Sequence, residues 1–527
     1  MKTAAKLAEA MALHRAGELV QAGAIYQSIL KMEPRNFDAL HLMGVIAGQM
    51  KNPATAVELI RRAIEVGPRN AAIHAALTNL GSAFKELGQL ELALDCLDKS
   101  VALNPLHSVT HSNRGLVLME LRRFEAALSS YDRAISMEPA SAENHYSRGN
   151  VLHKLGRLAD ALASYDAAIR LNVNHARAYL NRGNVLRELG QWDAALRSYD
   201  GAIALTPAYA EAHASKATLS LLLGDLHNGW AGYQWRWKQE TASSTIRAAR
   251  AFSKPLWLGA ESLTGKTILL YFEQGLGDEI QFCRYAKLVA DRGARVLLEA
   301  RQPLIGLFGS LEGVSQLIPP GTGLPDFDFH CPLMSLPLAF KTDISSIPSS
   351  MRYLSSEPSR VEHWSSILGT RRKPRVGLAW SGNQKHVNDH NRSIPLADLI
   401  RHLPPDIEYV SLQKDLRDED RVSLEANPAI RNHAEQFRDF SDTAAVCEIV
   451  DLVISVDTSV AHLSAALGRV TWIVLPFTPD WRWLLNRDDT PWYPTARLYR
   501  QDRAGDWSGV LQRLKADLLQ RSSRDPM

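Results

Sequence analysis

Apolar and small residues recur on a 34-residue beat through the first 207 positions of this 527-residue chain. Pro68 follows Pro34 by 34 residues, and Pro139 follows Pro105 by the same step. Pro207 lies 68 beyond Pro139, with Val173 in the proline slot between them. Only the Pro68 to Pro105 step differs, at 37, where Arg69 to Ile73 holds a short insertion. Gly44, Gly81, Gly115, Gly149 and Gly183 each stand 24 residues before the corresponding proline or Val173. Within one period, Ala178, Tyr179, Gly183, Leu186 and Leu189 keep helical spacing, and Gly190 ends that helix. Ala194, Ala195, Leu196, Tyr199, Ala202 and Ile203 form a second stripe, closed by Pro207. A single helical pair cannot bury its own apolar face. The pattern therefore predicts an all-α solenoid of about six repeats over 1–207, the first weak because Ala10 fills its glycine slot.

An altered unit follows at Ala210 to Arg236, dense in aromatics: Trp230, Tyr233 and Trp235, with Trp237 just beyond. A terminal repeat must cover the end of the stack, so 208–260 reads as capping repeat and linker, the aromatics either docking onto the next domain or forming a ligand box. From about Gly265 the period changes. Lys266 to Phe272, Arg295 to Glu299, Val314 to Ile318, Arg375 to Trp380, Tyr409 to Leu412, Leu452 to Ser455 and Thr471 to Leu475 are short apolar runs alternating with helical stretches. A Ser- and Pro-rich stretch, Ser345 to Pro374, separates two sets. This predicts two Rossmann-like α/β halves, 261–360 and 361–527, facing each other across a cleft, with ligands beyond the carboxyl ends of the strands.

A net charge of only +3, with 22% charged residues, offers no concentrated basic face for nucleic acid. Cys96, Cys283, Cys331 and Cys447 stand far apart, which argues against a disulfide framework or a zinc site. Lys6, Glu9, His14 and Arg15 interrupt the apolar run a signal peptide needs, and no stretch approaches the roughly 20 apolar residues of a membrane span. The expectation is a cytoplasmic protein.

Three loops after predicted strands carry candidate chemistry. Gly275-Leu276-Gly277-Asp278 allows a tight turn near a ligand, with Asp278 at a helix start, where it also suits a helix cap. Trp380-Ser381-Gly382-Asn383-Gln384-Lys385, running on to Arg392-Ser393-Ile394-Pro395, gathers small and basic residues; Lys385 and Arg392 either meet phosphates or stay solvated. The strand Leu452 to Ser455 runs into Val456-Asp457-Thr458-Ser459-Val460-Ala461-His462 and then a helix, where free N–H groups and hydroxyls converge on an anion. Pro479 to Trp483 offers Trp481 or Trp483 to a nucleotide base and Arg482 to a diphosphate or acceptor, or else plain packing. Asp326-Phe327-Asp328 matches a D-x-D metal pattern but lies away from these loops, so no metal is expected. In the repeats, Asn79, Asn113 and Asn181 share one slot; their amides either clamp an extended peptide or bond within the stack.

The first half resembles the tetratricopeptide repeat at Gly183, Ala195 or Ala194, Tyr199, Ala202 and Pro207. The second half resembles the family-9, heptosyltransferase-like glycosyltransferases, which have the two-domain GT-B fold. Leu276-Gly277-Asp278 is similar to their turn carrying the base. Asp457 to Ala466 is similar to their Asp-Thr-Gly-x-x-His-Leu-x-x-Ala diphosphate element, with Ser459 in the glycine slot; Arg392 to Pro395 is similar to Lys-x-Trp-Pro. The combination looks like bacterial repeat-bearing glycosyltransferases, some of which modify flagellin, and distantly like O-GlcNAc transferase, which carries a similar asparagine ladder. The resemblance implies metal-independent, inverting transfer from a nucleotide-sugar co-substrate, with no other cofactor, to a protein hydroxyl recruited by the repeats. Asp278 would be the base, with Gly275, Gly277, Ser381, Lys385, Arg392, Asp457, Thr458, Ser459 and His462 on the donor. A non-catalytic scaffold is the alternative.

Overall fold

The computed structural model describes residues 2–239, 252–386 and 388–524. The chain divides into two compact units, Met1–Pro207 and Ala208–Met527.

The first unit is six helical pairs: α1 (Lys2–Arg15) with α2 (Leu19–Met32), α3 (Phe37–Gln49) with α4 (Pro53–Val66), α5 (Ile73–Glu86) with α6 (Leu90–Leu103), α7 (Ser108–Glu120) with α8 (Phe124–Met137), α9 (Ala142–Lys154) with α10 (Leu158–Leu171), and α11 (Ala176–Glu188) with α12 (Trp192–Leu205). The periodic glycines are where two helices of a pair touch. A Cβ on Gly115, Gly149 or Gly183 would lie 2.8, 2.6 or 2.5 Å from the ring of Tyr131, Tyr165 or Tyr199. Neighbouring pairs are locked by a repeating clamp. Arg114, Arg148 and Arg182 each donate Nε to an aspartate of the preceding pair (Asp98, Asp132, Asp166; all 2.6 Å). Each also donates Nη1 to a serine of its own pair, Ser130, Ser164 or Ser198.

The asparagine slots are largely consumed by the same stacking. Asn79 Nδ2 lies 2.9 Å from His41 Nε2, Asn113 donates to Ser82 Oγ at 3.0 Å, and Asn181 donates to Asn150 Oδ1 at 2.8 Å. Their N–H groups therefore join adjacent repeats, and what they can offer a peptide is mainly the carbonyl side. Inter-helix bonding wins because an amide packed against the previous repeat finds a polar partner there before it meets solvent.

The second unit opens with α13 (Ala210–Leu222), α14 (Leu226–Tyr233) and a 3-10 turn, Gln234–Lys238. Its aromatics dock rather than form a ligand box. Trp230 is 1% exposed and donates its indole N–H to Thr342 O at 2.9 Å. Arg236, 2% exposed, forms a bidentate fork on Glu273 at 2.7 and 2.8 Å. Residues 240–251 of the expected linker lie outside the described residues.

Two all-parallel sheets follow. The first comprises β1 (Thr267–Tyr271), β2 (Arg295–Glu299), β3 (Val314–Ile318) and β4 (Phe329–Pro332), in the order β3-β2-β1-β4. Its helices are α15 (Leu276–Phe282), α16 (Tyr285–Ala290), α17 (Ile305–Phe308) and α18 (Leu336–Ala339). The stretch expected as a linker contains α19 (Pro358–Leu368), held to the second sheet region through Trp364 and Arg360 on Asp442. The second sheet comprises β5 (Arg375–Ala379), β6 (Glu408–Ser411), β7 (Ile430–Arg431), β8 (Leu452–Val456), β9 (Thr471–Leu475) and β10 (Ala496–Arg500). Its helices are α20 (Asp389–Arg392), α21 (Leu396–Ile400), α22 (Asp418–Glu425), α23 (Phe440–Ile449), α24 (Ser459–Ala466) and α25 (Ser508–Arg524). Strand order β10-β9-β8-β5-β6-β7 is the six-stranded dinucleotide-fold order, with its switch point between β5 and β8. Every residue of β5, β8 and β9 is buried, as strands covered on both faces must be. Among the described residues no helix is long and apolar enough to cross a membrane, and all four cysteines are free and buried.

Candidate functional site

The site lies where the switch point predicts. The loops after β5 and β8 flank it, and the loop after β1 of the other sheet meets them. Gly277 makes the meeting possible: a Cβ there would stand 2.8 Å from His462 Cδ2 and 3.5 Å from Ser459 Cα. Gly382 plays the same part on the other side, since a Cβ would fall 2.5 Å from the Arg392 guanidinium lying across it. Arg392 Nη1 then reaches the Asp457 carbonyl at 3.0 Å. Gly275, Gly277, Asp278, Ser381, Arg392, Asp457, Thr458, Ser459 and His462 are thus brought to one place. Lys385 sits on the exposed part of the β5 loop, its N–H bonded to Asn383 Oδ1.

Asp278 closes its own turn, accepting the Gly275 N–H at 2.6 Å. Its other oxygen is paired with Arg482. Arg482, 6% exposed, also binds Asp480 at 2.7 Å and Gln281 Oε1 at 2.5 Å, and its guanidinium covers the Trp481 ring at 4.3 Å. Trp481 is 3% exposed and packed edge-on to Trp230 at 5.2 Å. The expectation that Trp481 or Trp483 stacks on a nucleotide base is therefore corrected: both rings are spent on packing, Trp483 being fully buried against His462. Arg482 is the pivot of an ion network rather than a free ligand for acceptor.

Helix α24 starts without a cap. Thr458 is its N-cap residue, yet its hydroxyl faces Ser455 Oγ at 3.1 Å and takes nothing from the first turn. Asp457, Thr458, Ser459 and Val460 are all partly exposed, so the open N–H groups face accessible space. Two polar atoms beside it are buried without a hydrogen-bond partner, Ser381 Oγ and Arg392 Nε. Ser381 itself is held by its N–H on Gln413 Oε1 at 3.2 Å.

Charge is unevenly held here. Burial and then the nearby Asp480 push the Asp457 carboxyl up to about 6, against the pull of Arg392, Arg482 and the Trp483 indole N–H. His462 is held well below its ordinary value, by burial first and then by Arg482, Arg284 and Arg392. It is a neutral ring at physiological pH. Asp328 of the D-x-D pattern instead accepts the Thr267 N–H at 2.8 Å. Among the described residues no cluster of three or more His, Cys, Asp or Glu side chains could hold a metal.

Residue order did not reveal Gln413, Asp480 as a charge partner, Arg284 or Tyr493. Gln413 had a signal, since it follows β6 directly; the others are brought in by tertiary packing alone.

Tetratricopeptide repeat models match residues 13–80, 74–105 and 112–175, and a TPR repeat model matches 183–219. The N-terminal helical part is a tetratricopeptide solenoid. The chain is similar to protein FlbA of Caulobacter vibrioides, 25% identical over 330 residues that cover 58% of this chain and 54% of FlbA. It thus spans about half the length of that curated relative. Among solved structures it is similar to YrrB, described as a TPR protein with an unusual peptide-binding site, at 19% identity and TM-score 0.32 over 36% of this chain and 97% of that one. PilF of Pseudomonas aeruginosa is similar at 21% identity and TM-score 0.37, over 41% of this chain and 96% of that one.

Proposed function

We propose that the chain is a nucleotide-sugar-dependent glycosyltransferase of GT-B architecture whose repeats recruit a protein acceptor. One observation carries the reading. Three loops, distant in sequence, converge beside an uncapped helix start, and two buried polar atoms there, Ser381 Oγ and Arg392 Nε, lack hydrogen-bond partners, the latter lying 3.8 Å from Asp389 Oδ1. Unpaired buried polar atoms are costly, and a bound diphosphate would supply what they lack.

In this reading the diphosphate accepts from the first-turn N–H groups of α24, from the Thr458 and Ser459 hydroxyls and from Arg392, with Lys385 closing from its exposed loop. The leaving charge is stabilised by these fixed donors, without a metal. Asp278 takes the proton from the acceptor hydroxyl as that oxygen attacks the anomeric carbon, and the glycosidic bond to diphosphate breaks with inversion. Arg482 and Gly275 use two of the carboxylate's lone-pair sites and leave others for the acceptor. A second assignment of the base has its own support. The Asp457 carboxylate lies 3.9 Å from the neutral His462 Nε2, and the raised pKa of Asp457 suits a base near neutral pH. Titrating the full chain calorimetrically with ADP, UDP, GDP and CDP tests the proposal: one should bind. If none gives heat, the non-catalytic scaffold stands instead. Comparing Asp278→Asn with Asp457→Asn then identifies the base, as the variant that keeps diphosphate binding and loses turnover.

A further inference from the structure

His462 is enclosed on every side by groups that fix what its two nitrogens can do. Trp483 stacks on one face, with centroids 5.3 Å apart and planes 20° from parallel. Gly277 presses on the ring edge at Cδ2. Nδ1 lies 2.8 Å from the Tyr493 hydroxyl, and Tyr493 is 1% exposed. Nε2 points the other way, to Asp457 Oδ1 at 3.9 Å, too far for a hydrogen bond.

A neutral imidazole has one donor and one acceptor nitrogen. With the proton on Nδ1, the Nε2 lone pair would face the Asp457 carboxylate, acceptor against acceptor. With the proton on Nε2, that N–H faces the carboxylate and Tyr493 donates to Nδ1. The neighbouring Tyr353 sends its own hydroxyl to Ile280 O at 2.9 Å, and its oxygen already accepts from Arg284 Nη2 at 2.8 Å. Behind both tyrosines lies Arg284, 5% exposed and, among the described residues, paired with no carboxylate. Its N–H groups go to the Gln281, Pro348 and Trp492 carbonyls and the Tyr353 hydroxyl. Its guanidinium lies 4.6 Å from the Tyr493 ring centre. That cation polarises the hydroxyl toward donation, and with Arg482 and Arg392 it opposes a second proton on the ring.

We propose that Tyr493 is a positioning residue that holds His462 as a neutral ring protonated at Nε2, so that this N–H is an unspent donor for the anionic group bound at α24. The ligand half rests on the glycosyltransferase reading; the tautomer half does not. A donor held this way keeps its strength where a histidine ordinarily gains and loses charge.

Long-range 1H–15N spectra of full-length protein labelled at histidine nitrogens test it, His462 being assigned by the signals missing in His462→Gln. The expected result is a single Nε2–H tautomer from about pH 6.5 to 8, where Asp457 is a carboxylate. In Tyr493→Phe, which deletes one hydroxyl and keeps the ring, the tautomer signals should mix. Affinity for the nucleoside diphosphate that wild type binds best should fall about tenfold with little change in Tm, as expected for a misdirected hydrogen bond to a charged group. An Nδ1–H tautomer in wild type, a cationic His462 near neutral pH, or an unchanged spectrum in Tyr493→Phe overturns the proposal. A changed tautomer with unchanged affinity refutes the positioning role while the transferase reading stands. No binding of any diphosphate to wild type refutes that reading and the ligand half with it.

Discussion

Replacing Asp457 by Asn should make the protein more stable at pH 8 and leave its stability at pH 4 nearly unchanged. A free aspartate titrates near 3.9, whereas burial and the nearby Asp480 push this one up to about 6. A shift of about two units corresponds to roughly 3 kcal/mol. The sign follows from proton binding: the folded state holds the Asp457 proton more tightly than the unfolded chain. Its contribution is therefore most favourable below about pH 4, falls as pH rises to about 6, and stays at its worst value above that. The amide does not ionise, but it still loses water, so only part of the cost is recovered, about 1–2 kcal/mol. That is a Tm rise of about 1–3 °C at pH 8 for a unit of this size. Calorimetric or urea melts of both proteins at the two pH values are the assay. An Asn variant less stable than wild type at pH 8, or equally stabilised at both pH values, would refute the charge argument for this site.

Other outcomes follow from particular contacts. Arg482→Leu should cost about 2–4 kcal/mol by chemical denaturation, less than a fully buried pair because Asp480 is partly exposed. Arg236→Met strands the buried Glu273 carboxylate and should cost about 3–5 kcal/mol in the same assay. Gly149→Ala drives a methyl to 2.6 Å from the Tyr165 ring and should destabilise by about 1–3 kcal/mol. Gly23→Ala meets nothing within 4 Å and should stabilise α2 by about 0.5–1 kcal/mol; equal effects of the two alanines on the melt would contradict the helix-crossing account.

The repeats were legible because one glycine and one proline per 34 residues report a helix crossing and a helix end directly. Strands β1, β2, β5, β6, β8 and β9 were legible as apolar runs, since parallel strands buried on both faces need no alternation, whereas the edge strand β3 was legible only from Val314, Leu317 and Ile318. β4 was missed because Phe329–Pro332 is four residues ending in proline, β7 because two residues have no period, and β10 because Ala496–Arg500 interleaves two arginines. Residue order also placed the three loops of the site after their strands. It did not show that Arg482 pairs with Asp278 across 204 positions, or that Tyr493 meets His462 across 31. Such partners are chosen by tertiary packing, between the sheets for Arg482 and within the second sheet's region for Tyr493, which leaves no local trace. The asparagine row was visible, but its use was not: whether an amide faces a neighbour or a partner depends on how closely repeats nest.

The fork between Arg236 and Glu273 says where this chain can be divided. Composition changes near residue 260, but the 3-10 turn after the last helical pair carries a cation, Arg236, buried against the end of β1, and Tyr233 accepts the Gln274 amide at 2.8 Å, four residues short of Asp278. A truncation at the change in composition would strip the support from the very turn that bears Asp278, whereas one placed after Pro207 keeps it. The pair Ala210–Tyr233 thus belongs with the α/β part that follows it, not with the six repeats before it.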